Sequence, residues 1–416
     1  MNTPRFSVDS IEQFIKKNNK FYILGTEFEA KRIKNKLISE GKIVKGFIDL
    51  SSKYVGQKID GIDVFSLETY IKHNIPLIVA SLQDIYSENW EVDATNLLMQ
   101  KYKKIPFVDF IPIMGYFLGM EHLSRYKQLI GRDFYDYYTN NKSHFVKALN
   151  CLEDSYSKDI YQKVIEYKLM CLDVDAIDIN ELLIVSKNEA ISNDIKSKEV
   201  FDSLSFVEND NLRSMISSHM AVDSYSYKDK ISPTKKKCML DIGAYNGDTA
   251  AMFSILSPDS KVYAFEPVSE LNEQIGLTTK SFKNIEVIKK GAWSKTTVLK
   301  FNTLRRENYI GVGSFVSEEG TDQIDVVAID DFIQEEEINT VDFIKMDIEG
   351  AEVKALQGAY NTILRDKPDL AICIYHEPSD LWEIPLWIKE NFPEYKIYID
   401  HKYIHPVETV CYATVN

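Results

Sequence analysis

Four residues have the types and the spacing to hold an adenosine-bearing cofactor: Asp241, Gly243, Gly247 and Glu266. The first three lie in Cys238-Met-Leu-Asp-Ile-Gly-Ala-Tyr-Asn-Gly247, which reads as a short apolar strand and a tight loop, with a helix from Thr249. A ligand at the carboxyl end of such a strand meets backbone, and a Cβ in the turn would obstruct it. A carboxylate at the strand tip, Asp241, suits a cation better than a pyrophosphate. The sulfonium and ammonium of S-adenosylmethionine fit that preference, and the dinucleotide pattern G-x-G-x-x-G is absent. A second apolar strand, Lys261-Val-Tyr-Ala-Phe265, ends in Glu266-Pro267, 23 residues after Gly243. A carboxylate about 20 residues past the glycine loop is placed to accept from both ribose hydroxyls. The expected cofactor wall is Asp241, the loop Gly243, Ala244, Tyr245, Asn246 and Gly247, then Glu266 and Pro267. Ala292 and Trp293, just past a third strand, are expected over the adenine.

The residues that could move a proton lie further on. A fourth strand over Asp342–Met346 is followed by Asp347, Glu349 and Glu352, and a fifth over Asp369–Tyr375 by His376 and Glu377. Strand ends of an open α/β sheet face one crevice. Asp347, Glu349 and His376 are therefore the candidate base and substrate-orienting groups, His376 because its reference pKa of about 6.5 suits proton abstraction near neutrality. An alternative is a divalent cation held by Asp347, His376 and Glu377 through oxygen and nitrogen donors. Lys345 has a second reading as a buried partner of one of these acids. Arg305 and Arg306, with Asn308 and Tyr309 in the polar stretch Asn302–Ser317, would suit an anionic acceptor such as a nucleotide sugar. His401 and His405 fall in a loop between two late strands.

These groups need a scaffold of alternating strands and helices, the pattern of a parallel sheet with crossover helices. The pattern occurs twice. Residues 1–115 read as a small α/β domain, with strands at Lys20–Gly25, Val44–Asp49 and Ile75–Ala80 and a helix over Glu27–Glu40 that stops at Gly41. Residues 116–232 read as a helical connector, with heptad-like spacing over Phe134–Leu172. The polar tract Ser224–Lys237 leads into the third region, 233–416. There Lys396–Asp400 and Glu408–Val415 read as two strands that close the sheet.

Asp241-Ile-Gly-Ala-Tyr-Asn-Gly247, Phe265-Glu-Pro267, Ile329-Asp-Asp-Phe332, Ile344-Lys-Met-Asp-Ile-Glu-Gly-Ala-Glu352 and Glu408-Thr-Val-Cys-Tyr-Ala413 together resemble the FkbM family of methyltransferases. That resemblance implies an α/β fold: a seven-stranded doubly wound sheet with an antiparallel terminal hairpin, beside the smaller N-terminal domain. It also implies S-adenosyl-L-methionine as cofactor and O-methylation of a sugar hydroxyl, as in bacterial capsule or lipopolysaccharide biosynthesis, or of a secondary metabolite. A scaffold protein that keeps the fold without activity is the competing class. The N-terminal region resembles the nucleotide-binding-like domain of bacterial sugar acyltransferases, at the strand before Gly25, Gly46-Phe-Ile-Asp49 and Gly61-Ile-Asp-Val64. It carries acids (Glu27, Glu29) where those domains carry glycines, which points to an interaction or substrate-presenting module. A homodimer is an open possibility.

Bulk composition narrows the classes. The 416 residues carry 49 Lys and Arg against 63 Asp and Glu, a net charge of -14. Nucleic-acid binders need a basic footprint, so nucleic-acid methylation is disfavoured. No apolar run approaches the roughly 20 residues of a membrane span, and Met1–Ser7 lacks a signal-peptide layout. Five scattered cysteines without a C-x-x-C pair read as reduced thiols, hence a cytoplasmic expectation.

Overall fold

The computed structural model describes residues 8–26, 28–49, 53–70, 72–73, 75–79, 107–108, 129–170, 184–303, 305–306, 309–310, 314–403 and 408–416. Glu27, Ala80, Asn308 and His405 lie outside the described residues. Two compact units emerge: 1–141 with 163–187, and 142–162 with 188–416. The stretch expected as a connector is thus shared between them.

In the first unit, β1 (Lys20–Leu24), β2 (Ile43–Ile48), β3 (Lys58–Ile59), β4 (Ile62–Phe65), β5 (Leu77–Val79) and β6 (Phe107–Val108) form one sheet in the order β3-β4-β2-β1-β5-β6. All pairs are parallel except β3 with β4. The helix Phe28–Ser39 ends before Gly41, which takes a left-handed φ of 75°. Gly46 in β2 has a packing reason: a Cβ there would meet the rings of Phe65 and Tyr22.

The second unit is built on β7 (Cys238–Ile242), β8 (Lys261–Phe265) and β9 (Ile285–Ile288). It continues through β10 (Gly291–Ala292), β11 (Thr297–Asn302), β12 (Arg305–Arg306), β13 (Tyr309–Ile310), β14 (Phe315–Val316) and β15 (Asp322–Val327). The chain ends with β16 (Phe343–Met346), β17 (Asp369–Cys373), β18 (Lys396–His401) and β19 (Thr409–Thr414). The main sheet has seven strands in the order β18-β19-β17-β16-β7-β8-β9. Residues of β7, β16 and β17 are buried throughout, as expected of parallel strands covered on both faces. Only β19 runs against its neighbours, pairing antiparallel with β17 and β18. The expected seven-stranded sheet with its closing hairpin is therefore present.

Between β9 and β16 the chain forms a second sheet, β10-β15-β11-β14, and a two-stranded ribbon of β12 and β13. The expected polar stretch Asn302–Ser317 is part of this insertion. Upstream, the helix Asp210–Ala221 is capped by Asn209, whose side chain accepts from the Leu212 N–H. Leu212 and Ile216 on that helix join the core cluster that also contains Met252 and Phe253 of the helix Asp248–Leu256. Among the described residues, no helix is long and apolar enough to cross a membrane.

Candidate active site

A cavity of about 320 Å³ opens at the carboxyl edge of the main sheet. That is within the usual range for a small-molecule site, roughly 300–1,000 Å³. Gly243, Tyr245, Glu266, Pro267, Ala292 and Trp293 line it. So do Asp347 and Glu349, which brings eight of the predicted site residues to one wall.

The glycine loop is set by left-handed backbone. Gly243, Tyr245 and Gly247 have φ of 85°, 48° and 88°. Gly243 and Ala244 both donate to the Phe265 carbonyl, at 3.1 and 2.9 Å. Next along, Glu266 receives the Tyr245 N–H on Oε2 at 3.1 Å and the Val268 N–H on Oε1 at 2.9 Å. One carboxylate thus ties the β7 loop to the β8 turn. It is 6% exposed, and burial pushes its carboxyl up to about 7. Each oxygen keeps a lone pair for a further donor.

That displacement has a consequence for stability. Between its ordinary value of 4.5 and about 7, the folded chain holds a proton that the unfolded chain has released. Stability must then fall as pH rises through this window, by roughly 3 kcal/mol in full. Wild type is expected to lose stability relative to Glu266→Gln over that range, read by urea denaturation at each pH. A difference that stays flat would contradict the buried carboxyl.

Gly243 also faces the fourth strand. A Cβ added there would run into the Asp347 carbonyl, and its φ is unfavourable for any side chain. Gly243→Ala is expected to cost about 1–3 kcal/mol and to displace the Asp347 turn. Equilibrium unfolding of the variant checks this; a cost below about 0.5 kcal/mol would mean the turn yields freely.

Asp241 does not line the cavity. It is fully buried below it, where Oδ2 accepts from Thr249 Oγ1 at 2.6 Å and Oδ1 lies 3.0 Å from Lys345 Nζ. Lys345 is the direct register partner of Asp241 across the β7–β16 pair. Its ammonium also donates to the Gly243 carbonyl at 2.7 Å. Burial would lower the Lys345 pKa, but Asp241 and Asp347 outweigh it and the net direction is up. Asp241 therefore steadies the loop through Lys345, in place of the direct ligand contact expected for it. Ala244 is buried in the core, and Gly247 turns the chain against Thr279. Asn246 Oδ1 accepts from the Asp248 N–H at 3.1 Å, opening the helix. These three also stay off the cavity wall.

His376 is likewise 6% exposed and away from the wall. Its Nδ1 lies 3.0 Å from Glu352 Oε1, and its Nε2 lies 3.2 Å from Asp347 Oδ1 and 3.8 Å from Glu349 Oε2. Burial opposes its protonation, but Glu352, Glu349 and Asp347 prevail and its pKa rises well above 6.5. The imidazole is thus held as a cation and cannot accept a proton near neutrality, contrary to the role expected from its reference pKa. Asp347 moves the other way. Against burial, His376, Lys345 and Tyr375 hold its carboxyl well below the usual range.

The carboxylates of Asp347 and Glu352 face different nitrogens of the ring. Glu377 uses its N–H on Asp380 Oδ2 at 2.7 Å. Among the described residues, the acids and His376 grouped closely enough for an ion are Asp347, Glu352 and His376, not the expected set with Glu377.

Several wall residues escaped the sequence reading. Met215, His219 and Tyr225 come from the helix Asp210–Ala221 and the turn after it, and Tyr375 and Glu408 from the far side of the sheet. His219 Nε2 lies 3.4 Å from Asp248 Oδ2, and its Nδ1 lies 3.1 Å from the hydroxyls of both Ser224 and Tyr403. A polar residue directly before a strand that must run antiparallel was the signal available for Glu408. His401 is buried against Thr409, Nδ1 to Oγ1 2.8 Å, and is not on the wall.

The chain is similar to solved structures of known proteins. Its overlay on the crystal structure of methyltransferase FkbM from Methylobacillus flagellatus KT covers 97% of this chain and 92% of that one, at 21% identity and a TM-score of 0.59. Fibrillarin from Aeropyrum pernix, in complex with natively bound S-adenosyl-L-methionine, matches over 44% of this chain and 67% of that one, at 13% identity and a TM-score of 0.30. No curated protein matches by sequence. Residues 241–399 match the profile of the Methyltransferase FkbM domain, the stretch that holds the glycine loop, Glu266 and the Asp347 turn. Over that stretch the chain is similar to the FkbM methyltransferases.

Proposed function

We propose that the cavity takes S-adenosyl-L-methionine and that the chain moves its methyl group to a hydroxyl oxygen of a sugar, in bacterial glycan biosynthesis. The observation that carries this is Glu266: a buried carboxylate on the cavity wall, beside the glycine loop, with acceptor capacity left over. Around it, Pro267, Leu271, Ala292, Trp293 and Val326 offer apolar surface for a purine. A chemical fit to an adenosine is therefore present. Glu266 would accept from the ribose hydroxyls, and the loop from Gly243 to Tyr245 would carry the remainder.

The cofactor, when bound, supplies an electrophilic methyl on a good leaving group. What falls to the protein is alignment of the acceptor oxygen, which can contribute roughly 7–11 kcal/mol, and removal of its proton. Asp347, Tyr375 and Glu408 offer hydroxyl-binding groups on the same wall. A sugar, rich in hydroxyls, matches such a surface.

Titration calorimetry with S-adenosylhomocysteine tests the reading, with binding expected in the micromolar range; its absence would end it. A panel of nucleotide sugars, screened for the mass gain of one methyl, tests the acceptor class. Product from a non-sugar hydroxyl alone would redirect the proposal to a secondary metabolite.

A further inference from the structure

The amino end of β19 brings a carboxylate into the cavity. Because β19 runs antiparallel to β17, its first residues lie at the carboxyl edge of the sheet: Cys373 is paired with Val410, and the Ile374 N–H donates to the Thr409 carbonyl at 2.9 Å. Glu408, one residue earlier, therefore lines the cavity with Asp347 and Tyr375. The Tyr375 hydroxyl donates to Asp347 Oδ1 at 2.9 Å and stands 3.5 Å from Glu408 Oε1. Glu408 also has a φ of 77°, in the left-handed region that glutamate seldom enters. Such backbone costs of order 1 kcal/mol or more and tends to persist where it aims a functional group.

Several other ionisable groups near this wall are committed, and Glu349 Oε2 lies 3.8 Å from His376 Nε2. Lys345 serves Asp241 and the Gly243 carbonyl. His219 faces Asp248 with one ring nitrogen and two hydroxyls with the other. His376 is held as a cation, and Asp347, facing it and taking the Tyr375 hydrogen bond, is a weak base.

Resting on the methyltransferase reading above, we propose that Glu408 is the general base, its carboxylate taking the hydroxyl proton of the acceptor as that oxygen bonds to the methyl carbon. The new O–C bond forms as the C–S bond of the sulfonium donor breaks, and the C–S electron pair stays on sulfur. The proton ends on Glu408 and leaves to solvent after product release. Burial, and then the charge of Asp347, push the Glu408 carboxyl up to about 7. His219 from the upstream helix, His376 after β17 and Lys345 from β16 pull it down, and Tyr375 and Tyr403 complete its surroundings. A base poised near the working pH is the effective one.

Difference infrared titration of the full chain, wild type against Glu408→Gln, reads this carboxyl with no ligand present. The band lost in the variant is expected to titrate with a midpoint of about 7. A midpoint below about 5, close to an ordinary glutamate, overturns the assignment. Should Glu408→Gln fail to fold, Glu408→Asp serves, and a titrating band that does not shift overturns it equally. Calorimetry with S-adenosylhomocysteine separates this proposal from the one beneath it. No binding by wild type removes the methyltransferase reading and this proposal with it. Binding by wild type that collapses in Glu408→Gln places Glu408 in the cofactor site and overturns only the base. On an acceptor found in the nucleotide-sugar panel, Glu408→Gln is expected to lose about 10²–10⁴-fold in kcat with KM little changed, and Glu408→Asp to recover part of it. The wild-type rate should climb with pH through the same midpoint. Turnover by Glu408→Gln within about tenfold of wild type overturns the proposal.

Discussion

Glu266→Ala is expected to weaken S-adenosylhomocysteine binding by roughly 10²–10⁴-fold, since two hydrogen bonds to a charged acceptor are worth about 1.5–3 kcal/mol each. The loss has two sources. Removal of the carboxylate takes away the group proposed to receive both ribose hydroxyls. It also leaves the N–H groups of Tyr245 and Val268 without the oxygens they now reach at 3.1 and 2.9 Å. The loop would loosen where Tyr245, in left-handed backbone, packs beside Trp293 against the small second sheet. Glu266→Gln separates the two contributions. Its amide oxygen can still take one backbone N–H, so the fold is kept while one hydroxyl contact is lost. Calorimetry of both variants beside wild type gives the answer. If Glu266→Ala binds within about threefold of wild type, the ribose does not sit at Glu266, because losing even one such bond should exceed that.

Lys345→Met should be strongly destabilising, at about 3–5 kcal/mol. Lys345 and Asp241 have side chains 2% and 0% exposed, so deleting the cation strands a carboxylate with no access to water. The same deletion removes the donor to the Gly243 carbonyl and so loosens the loop from below. The double variant Asp241→Asn/Lys345→Met removes the stranded charge. It is expected to regain much of the loss, since a buried pair can often be replaced by neutral groups at little cost. Urea denaturation of the two singles and the double closes the cycle. A Lys345→Met cost below about 1 kcal/mol would show that water reaches Asp241.

These two residues show how far local pattern reaches. Asp241 is legible as a strand-tip acid, and Glu266 as a second one 23 residues after Gly243. Both follow from apolar runs that stop at a charge, a signal confined to a few neighbouring residues. Lys345 reads from the sequence as a buried partner for an acid, but which acid depends on the register of β16 against β7, and that register sets it beside Asp241. His376 shows the same limit from another side. A histidine after a strand reads as a neutral base until Glu352, Glu349 and Asp347 converge on its two ring nitrogens.

The loop, the acid after β8, the Asp347 turn and the parallel core could be read from the chain alone, because each depends on spacing within one βα unit. The insertion sheet could not, since β10 pairs with β15 at a separation of 35 positions along the chain. Nor could the cavity wall from His219 and Glu408. One comes from a helix upstream of the matched domain, and the other becomes a wall residue only because β19 reverses direction. By itself the sequence determined where a cofactor of this kind meets backbone, through glycines and a carboxylate at fixed local distances. Tertiary structure alone decided which of the acids, lysines and histidines are neutralised by one another and which remain free to meet an acceptor. Charge pairing is a property of distance in space, and burial makes it strong enough to override each residue's ordinary chemistry.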